Sequence, residues 1–85
     1  IQGIGDGFIP DVLDTSLVTD VVEVADKDAI EMARRLAKEQ GLLVGTSSGA
    51  NVWAAMKMAE KYGKDKVIAT VMADRAERYF SVGLL

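Results

Sequence analysis

The stretch Leu42-Leu43-Val44-Gly45-Thr46-Ser47-Ser48-Gly49-Ala50 joins a short apolar run to the beginning of a helix. Because residues 42–44 are all apolar and a glycine follows them, they are typical of a buried strand. Beyond the stretch, apolar residues recur at helical spacing as far as Gly63, which predicts a helix over 48–62. This strand-to-helix unit indicates an α/β fold, in which ligands commonly lie at the carboxyl ends of the strands.

The same alternation continues on both sides of this stretch. The β-branched run at 21–24 predicts a strand, and Asp26 is expected to cap a helix over 27–40. Gly41 suits the left-handed residue that ends such a helix. Residues 67–72 predict a third strand, parallel to strand 42–44. The order of elements therefore predicts an α/β protein with a three-layer parallel sheet and flanking helices.

Composition excludes several functional classes. The 85 residues contain no Cys and no His, which excludes disulfide scaffolds, thiol nucleophiles, Ser-His-Asp triads and most transition-metal sites. The formal net charge of −3 argues against a nucleic-acid partner. No run reaches the ~18–20 apolar residues that a membrane-spanning helix requires. We therefore expect no metal, no nucleic acid and no membrane as partners.

The chain is expected to be one part of a larger α/β protein. It begins inside a Gly-rich stretch at 1–7 and ends on apolar Leu84-Leu85, and its mean hydropathy of +0.15 is high for a small domain. Three predicted strands would leave bare sheet edges that more chain should cover. Residues 1–20 are loop-like, with a short turn of helix expected between Val12 and Leu17.

The strongest candidate for chemistry is the beginning of helix 48–62. Helix N-termini expose unpaired N–H groups and are usually rich in acids, yet no Asp or Glu lies between Glu39 and Glu60. Neither Ser47 nor Ser48 is followed three residues later by Glu or Gln, so there is no capping box. The helix N-terminus is therefore expected to be free for an outside acceptor, either an anion or a ring nitrogen. The alternative is that one of the two serines is an ordinary N-cap.

Three other features carry weaker signals. The Gly-rich segment from Gly3 to Phe8 is either a ligand-approaching loop or a flexible entry loop. The charged segment from Asp74 to Tyr79 follows a predicted strand and is either a ligand site or, more commonly for such runs, a solvated charge cluster. Trp53 is expected to pack in the core rather than to stack on a cofactor.

Taken together, the motifs resemble those of the cysteine synthases, the O-acetylserine sulfhydrylases. The similar segments share their order and spacing with the family and cover essentially the whole chain. They are Ile1-Gln2-Gly3-Ile4-Gly5, Gly7-Phe8-Ile9-Pro10, Asp28-Ala29-Ile30 with Ala33-Arg34-Arg35-Leu36, the turn from Gly45 to Ala50, and Glu77-Arg78-Tyr79 followed by Ser81. At its ending this chain departs from the family pattern: it keeps the family's Asp, at Asp74, but lacks the family's Pro, Ser and Gly. The resemblance implies that residues 1–85 are a C-terminal fragment of the fold type II pyridoxal phosphate enzymes, with no complete second domain.

The resemblance also implies an activity and partners. The family makes L-cysteine and acetate from O-acetyl-L-serine and sulfide by pyridoxal phosphate-dependent β-replacement. The resemblance further implies that the whole enzyme is a cytoplasmic homodimer that can bind serine acetyltransferase. In the family a lysine holds the cofactor as a Schiff base and a Gly-rich loop holds its phosphate, but none of the six lysines here lies in a matching motif. No catalytic residue is therefore carried over, and the isolated chain is expected to be inactive.

By resemblance, Ser47 is the cofactor-binding residue whose hydroxyl meets the pyridine nitrogen. Gly3 and Gly5 are expected beside the entrance for substrate and cofactor. The resemblance thus assigns a ring nitrogen, rather than a phosphate, to the beginning of the helix. The chemistry agrees, because a neutral hydroxyl donates to an unprotonated nitrogen and the positive helix end disfavours a pyridinium there.

Two alternatives stay open at this point. One is a relative with the same fold, such as a cystathionine β-synthase or a phosphoserine-using sulfhydrylase. The other is a non-catalytic homologue that keeps only the binding of serine acetyltransferase. The upstream sequence would separate them, because a lysine in a Ser-x-Lys-Asn-Arg context supports the enzyme.

Overall fold

Two α-helices dominate residues 11–75, the part of the chain that the computed structural model describes. A short 3₁₀ helix spans Thr15–Leu17, helix α1 spans Asp26–Gln40 and helix α2 spans Thr46–Tyr62. Both helices predicted from apolar spacing are therefore confirmed. Helix α1 begins one residue before its predicted start, and α2 begins two residues before.

Helix α1 forms where the sequence places apolar residues on one face. Its buried residues are spaced by three, one and three positions, which puts them on one side of the helix: Ala29, Met32, Ala33 and Leu36. The beginning of α1 differs from the expectation. Ala25 occupies the N-cap position and no side chain caps it, while Asp26 lies inside the first turn. From there Asp26 stabilises the helix through the dipole rather than as a cap.

Gly41 ends α1, as its position in the sequence predicts. Its φ of 68° and ψ of 21° are left-handed, a conformation that glycine adopts without steric cost. The N–H groups of Gly41 and Leu42 both donate to the carbonyl of Leu36. The reversal after α1 is therefore held against the last turn of the helix by two backbone hydrogen bonds.

Gly49 allows the two helices to approach closely. A Cβ atom at Gly49 would lie 2.9 Å from the backbone nitrogen of Ala33 and closer still to the carbonyl oxygen of Ala29. Real Cβ atoms essentially never approach backbone this closely, so the crossing requires glycine. The small core beside the crossing consists of Met32, Leu36 and Val44, with Val52 and Trp53 packed against it. The expected packing role of Trp53 is thereby confirmed.

The predicted parallel sheet is not present in residues 11–75. The segments 21–24, 42–44 and 67–72 form no strand there, and the bridge found in this part of the chain is antiparallel, between Val44 and Arg75. The predicted parallel pairing of 42–44 with 67–72 is therefore not formed among the described residues.

The physical reason is that the three segments have no neighbouring strands in the described chain that could pair with them along their length. Val21, Val67 and Val71 are 77 %, 95 % and 67 % exposed. A strand is stable only when other strands pair with its N–H and C=O groups and a further layer covers its apolar face. Apart from Val44, which is buried in the small core, the apolar residues of these segments are partly or largely exposed.

Candidate functional site

Helix α2 begins without a cap of its own. Gly45 occupies the N-cap position in extended backbone and offers no side chain, and no acidic residue lies in the first turn. Ser47 and Ser48 follow Thr46 inside the helix, so neither serine is the N-cap. The first N–H groups of α2 consequently need an acceptor from another part of the chain.

Asp74 supplies that acceptor. The Ser47 N–H donates to Asp74 Oδ2 at 3.2 Å, and the Ser48 N–H donates to Asp74 Oδ1 at 3.0 Å. The Ser48 hydroxyl contacts the same carboxylate and accepts from the Asp74 N–H at 3.2 Å. One carboxylate thus binds two successive helix N–H groups and a fully buried hydroxyl, as an N-cap side chain would, from 26 residues away.

Further contacts hold the Asp74 segment along the beginning of α2. The Gly45 N–H donates to the Asp74 carbonyl at 3.3 Å. One turn into the helix, the Asn51 side-chain amide donates to the carbonyl of Val71 at 2.9 Å. The antiparallel bridge at Val44 lies next to these bonds. Residues 71–75 are therefore fastened to the helix at several points rather than through one side chain.

The expectation that this helix N-terminus is free for an outside acceptor, either an anion or a ring nitrogen, is wrong for the N–H groups of Ser47 and Ser48. The Asp74 carboxylate already occupies the N–H groups of Ser47 and Ser48, and a phosphate there would have to displace a like charge. At Asp74 the alternative of a solvated charge cluster is wrong as well, because this residue is partly buried and bonded to α2. The sequence signal for such a contact is that α2 has neither an acidic first turn nor a capping box, which indicates that an acceptor comes from elsewhere without identifying Asp74.

The Ser47 hydroxyl is the group that this arrangement leaves for a ligand. Ser47 is half-buried, whereas Ser48 is completely buried against Asp74. Among residues 11–75 no hydrogen bond occupies the Ser47 hydroxyl, although its N–H is bonded. A neutral hydroxyl beside N–H groups that are already neutralised suits an uncharged acceptor such as a ring nitrogen.

Other features of the described chain show no comparable convergence of groups. A groove of about 220 Å³ lies between the outer faces of α1 and α2, where Lys57 lies 5.0 Å from the centre of the Trp53 ring. No group of three or more His, Cys, Asp or Glu side chains within residues 11–75 could hold a metal ion. In the same range, neither helix is long and apolar enough to cross a membrane.

Two sequence candidates lie outside the described residues. Gly3 and Gly5, expected at an entrance for substrate and cofactor, belong to residues 1–10. The motif Glu77-Arg78-Tyr79 belongs to residues 76–85. The structure therefore brings together Ser47, Ser48 and Asp74, and these three residues define the candidate site.

Comparison with known proteins identifies relatives along almost the whole chain. Cysteine synthase B of Campylobacter jejuni is 51 % identical over 84 residues, which are 99 % of this chain and 27 % of the relative. The crystal structure of the cysteine synthase from Entamoeba histolytica superposes with a TM-score of 0.92 at 41 % identity, over 99 % of this chain and 25 % of that one. A solved hydrogen sulfide-producing enzyme gives a TM-score of 0.89 at 48 % identity, over 100 % of this chain and 25 % of that one.

The chain thus spans about a quarter of the length of these relatives. The two solved structures are well above 25 % identical to this chain and superpose on nearly all of it. The chain therefore fits a fragment of the fold type II architecture. The family described as pyridoxal-phosphate dependent enzymes matches residues 1–74. The chain therefore belongs to the family of pyridoxal-phosphate dependent enzymes, and its relatives include cysteine synthases.

Proposed function

We propose that residues 1–85 form the C-terminal part of a cysteine synthase, which makes L-cysteine and acetate from O-acetyl-L-serine and sulfide by β-replacement. The observation that carries this proposal is the identity with cysteine synthases along nearly the entire chain. A fragment that covers a quarter of the relatives brings only part of a site. The complete enzyme, rather than this segment, would accordingly be the catalyst.

The candidate site suits one end of the family's cofactor. Pyridoxal phosphate supplies an electron-withdrawing ring to which amino acids become bonded. Of the groups at the beginning of α2, the Ser47 hydroxyl fits the pyridine nitrogen, because it can donate one hydrogen bond without adding charge. The phosphate does not fit there, since the Asp74 carboxylate already occupies the helix N–H groups. We assign Ser47 to the ring nitrogen, and Gly3 and Gly5 to the entrance loop.

The exposed apolar segments support a second part of the proposal. In the complete enzyme, residues 21–24, 42–44 and 67–72 would pair with each other and with further strands in the parallel sheet of the fold. Val67, at 95 % exposure, is the clearest sign that a covering layer belongs there. The sheet would also place the start of α2 at the carboxyl end of strand 42–44, where ligands bind in such folds.

The remaining properties of the proposed enzyme rest on the family resemblance. They are a homodimeric assembly, a cytoplasmic location and docking of the tail of serine acetyltransferase at the active site. We also assign the cofactor-bonding lysine to a part of the enzyme outside residues 1–85. We therefore propose that this segment alone does not turn over substrate.

A second candidate function is the release of hydrogen sulfide from cysteine. The observation that favours it is the 48 % identity with the solved hydrogen sulfide-producing enzyme. Both activities replace the group on the β-carbon of an amino acid. They differ in whether sulfide enters or leaves, so the site described above serves either direction.

The test uses the complete enzyme with bound cofactor, given either O-acetyl-L-serine with sulfide or L-cysteine with a thiol acceptor. The proposal predicts cysteine formation as the faster reaction, and sulfide release as the faster one would support the second candidate. Ser47→Ala should lower the affinity for pyridoxal phosphate, whereas the exposed control Ser16→Ala should not. If neither reaction exceeds a control without cofactor, the proposed function is wrong.

A further inference from the structure

The Asp74 carboxylate is bonded to the first turn of α2. The helix itself has no acid in that turn. Asp74 binds the N–H groups of residues 47 and 48 at 3.2 and 3.0 Å, so its charge lies directly beside the backbone of Ser47. The role assigned to Ser47, a hydrogen bond to the ring nitrogen, does not by itself account for this carboxylate.

We infer that Asp74 is a positioning residue for Ser47: it holds the first turn of α2 in place so that the Ser47 hydroxyl can donate to the ring nitrogen of the cofactor. This inference rests on the proposed function. It adds a residue that makes no contact with the cofactor itself and acts through its neighbour.

The geometric part of the inference follows from the hydrogen bonds. The first turn of a helix frays easily because its N–H groups lack partners within the helix. With two of these groups bonded to one carboxylate, and the Ser48 hydroxyl contacting the same group, the backbone of Ser47 is fixed at its N–H. A fixed backbone limits the positions that the Ser47 oxygen can take, and hydrogen-bond strength depends steeply on distance and angle.

The electrostatic part follows from the charges. The N-terminus of a helix carries about half a positive charge, which by itself would attract an anion such as a phosphate. The Asp74 carboxylate opposes that charge and also makes the position unfavourable for a phosphate. The N–H groups at this end of the site are thereby closed to a phosphate, and the Ser47 hydroxyl is the donor that they leave.

A double-mutant cycle in the complete enzyme tests whether Asp74 acts through Ser47. The variants are Asp74→Asn, Ser47→Ala and the two combined, with Asp65→Asn, beyond the other end of α2, as the matched control. The readouts are the dissociation constant of pyridoxal phosphate, the absorption maximum of the bound cofactor, and the melting temperature of the enzyme without cofactor. The apoenzyme measurement separates loss of folding from loss of the contact.

The inference predicts that Asp74→Asn raises the dissociation constant roughly tenfold and shifts the absorption maximum when Ser47 is present. In the Ser47→Ala background the same change should have less than about a twofold effect and no spectral shift. Asp65→Asn should leave both quantities unchanged. If Asp74→Asn does not fold, Ser48→Ala, which removes one contact to the carboxylate, should show the same dependence on Ser47 with a smaller size.

Equal effects of Asp74→Asn with and without Ser47 would overturn the inference, because they would show that Asp74 only stabilises the fold. That result leaves the proposed function intact. A Ser47→Ala enzyme with unaltered cofactor affinity and spectrum would instead overturn the assigned contact, and the inference with it. The two failures are therefore distinguishable in one set of measurements.

Discussion

The carboxylate of Asp74 accepts a hydrogen bond from the N–H of Ser48 at 3.0 Å, across 26 residues of sequence. This bond takes the place of the hydrogen bond from an N-cap side chain, because Gly45 at the N-cap position of α2 has no side chain. The beginning of α2 is consequently completed only when the segment after the helix returns to it. Folding of the helix start and placement of residues 71–75 are thus coupled.

Removal of the Asp74 carboxylate should destabilise the protein. In Asp74→Ala the N–H groups of Ser47 and Ser48 lose their acceptor, and the buried Ser48 hydroxyl loses a charged partner. We expect a loss of about 1–3 kcal/mol, measured as a lower melting temperature of the apoenzyme. Asp65→Ala is the control for removing one negative charge, and an equally large loss in that variant would contradict the capping role.

Gly49→Ala should destabilise the protein even though it adds a better helix former. Inside a helix this substitution ordinarily stabilises by about 1 kcal/mol. Here the added Cβ would collide with the backbone of Ala29 and Ala33, and separating α1 from α2 should cost about 1–3 kcal/mol. Ala59→Gly, at an exposed position of α2, measures the propensity alone. A stabilised Gly49→Ala protein in thermal unfolding would show that the helices do not cross so closely.

The ion pair between Asp20 and Lys61 predicts a pH dependence with a definite sign. Lys61 Nζ lies 2.7 Å from Asp20 Oδ2, and hydrogen bonding to Lys61 is the main cause that lowers the pKa of Asp20 below its ordinary value. A lowered carboxyl pKa contributes stability above the ordinary Asp range, and this contribution is lost as the pH falls through the lowered value. The pKa of Lys61 is raised for the same reason, so the pair is intact at neutral pH and is lost again only in strong alkali.

The measurement for this pair is an NMR titration of the Asp20 carboxyl carbon. Lys61→Gln should raise the pKa of Asp20 toward its ordinary value, while Lys64→Gln should leave it unchanged. Added salt should weaken the shift, because both side chains are substantially exposed. A pKa of Asp20 that does not respond to Lys61→Gln would mean that the pair is not formed in solution.

Ser47→Asp should impair the complete enzyme more than Ser47→Ala does. The alanine variant loses one neutral hydrogen bond, worth about 0.5–1.5 kcal/mol. The aspartate variant would place a second carboxylate next to Asp74 and, at the proposed contact, would favour protonation of the ring nitrogen, as the neutral Ser47 hydroxyl does not. We expect a lower rate of cysteine formation and an altered absorption spectrum in Ser47→Asp. Unchanged turnover and spectrum would mean that Ser47 does not contact the ring nitrogen and is only a structural residue of the first turn of α2.

The helices could be predicted from the sequence because their determinants are local. The apolar spacing in 26–40 and the left-handed Gly41 lie within a few residues of each other, and both are as predicted. The strands could not be predicted in the same way, since residues 67–72 are apolar enough for a strand but have no paired neighbour in the described chain. Strand formation depends on partners, and sequence alone does not say which partners are present.

In the candidate site, too, the locally determined features could be predicted from the sequence and the long-range contact could not. Ser47 and its place at a helix beginning follow from the local pattern of Gly45 to Ala50 together with the family resemblance. The contact from Asp74 is made across 26 residues, so no local pattern contains it. The sequence does show a helix start without acids or a capping box, whose N–H groups therefore lack a local acceptor. Asp74 supplies that acceptor.

The account depends most on how the beginning of α2 meets the cofactor. The most direct test is a crystal structure of the complete enzyme with pyridoxal phosphate bound. The account predicts the Ser47 hydroxyl oxygen at about 2.7–3.0 Å from the pyridine nitrogen, with the Asp74 carboxylate still on the N–H groups of Ser47 and Ser48. A cofactor phosphate on those N–H groups with Asp74 displaced, or a pyridine nitrogen that faces a different residue, would contradict it.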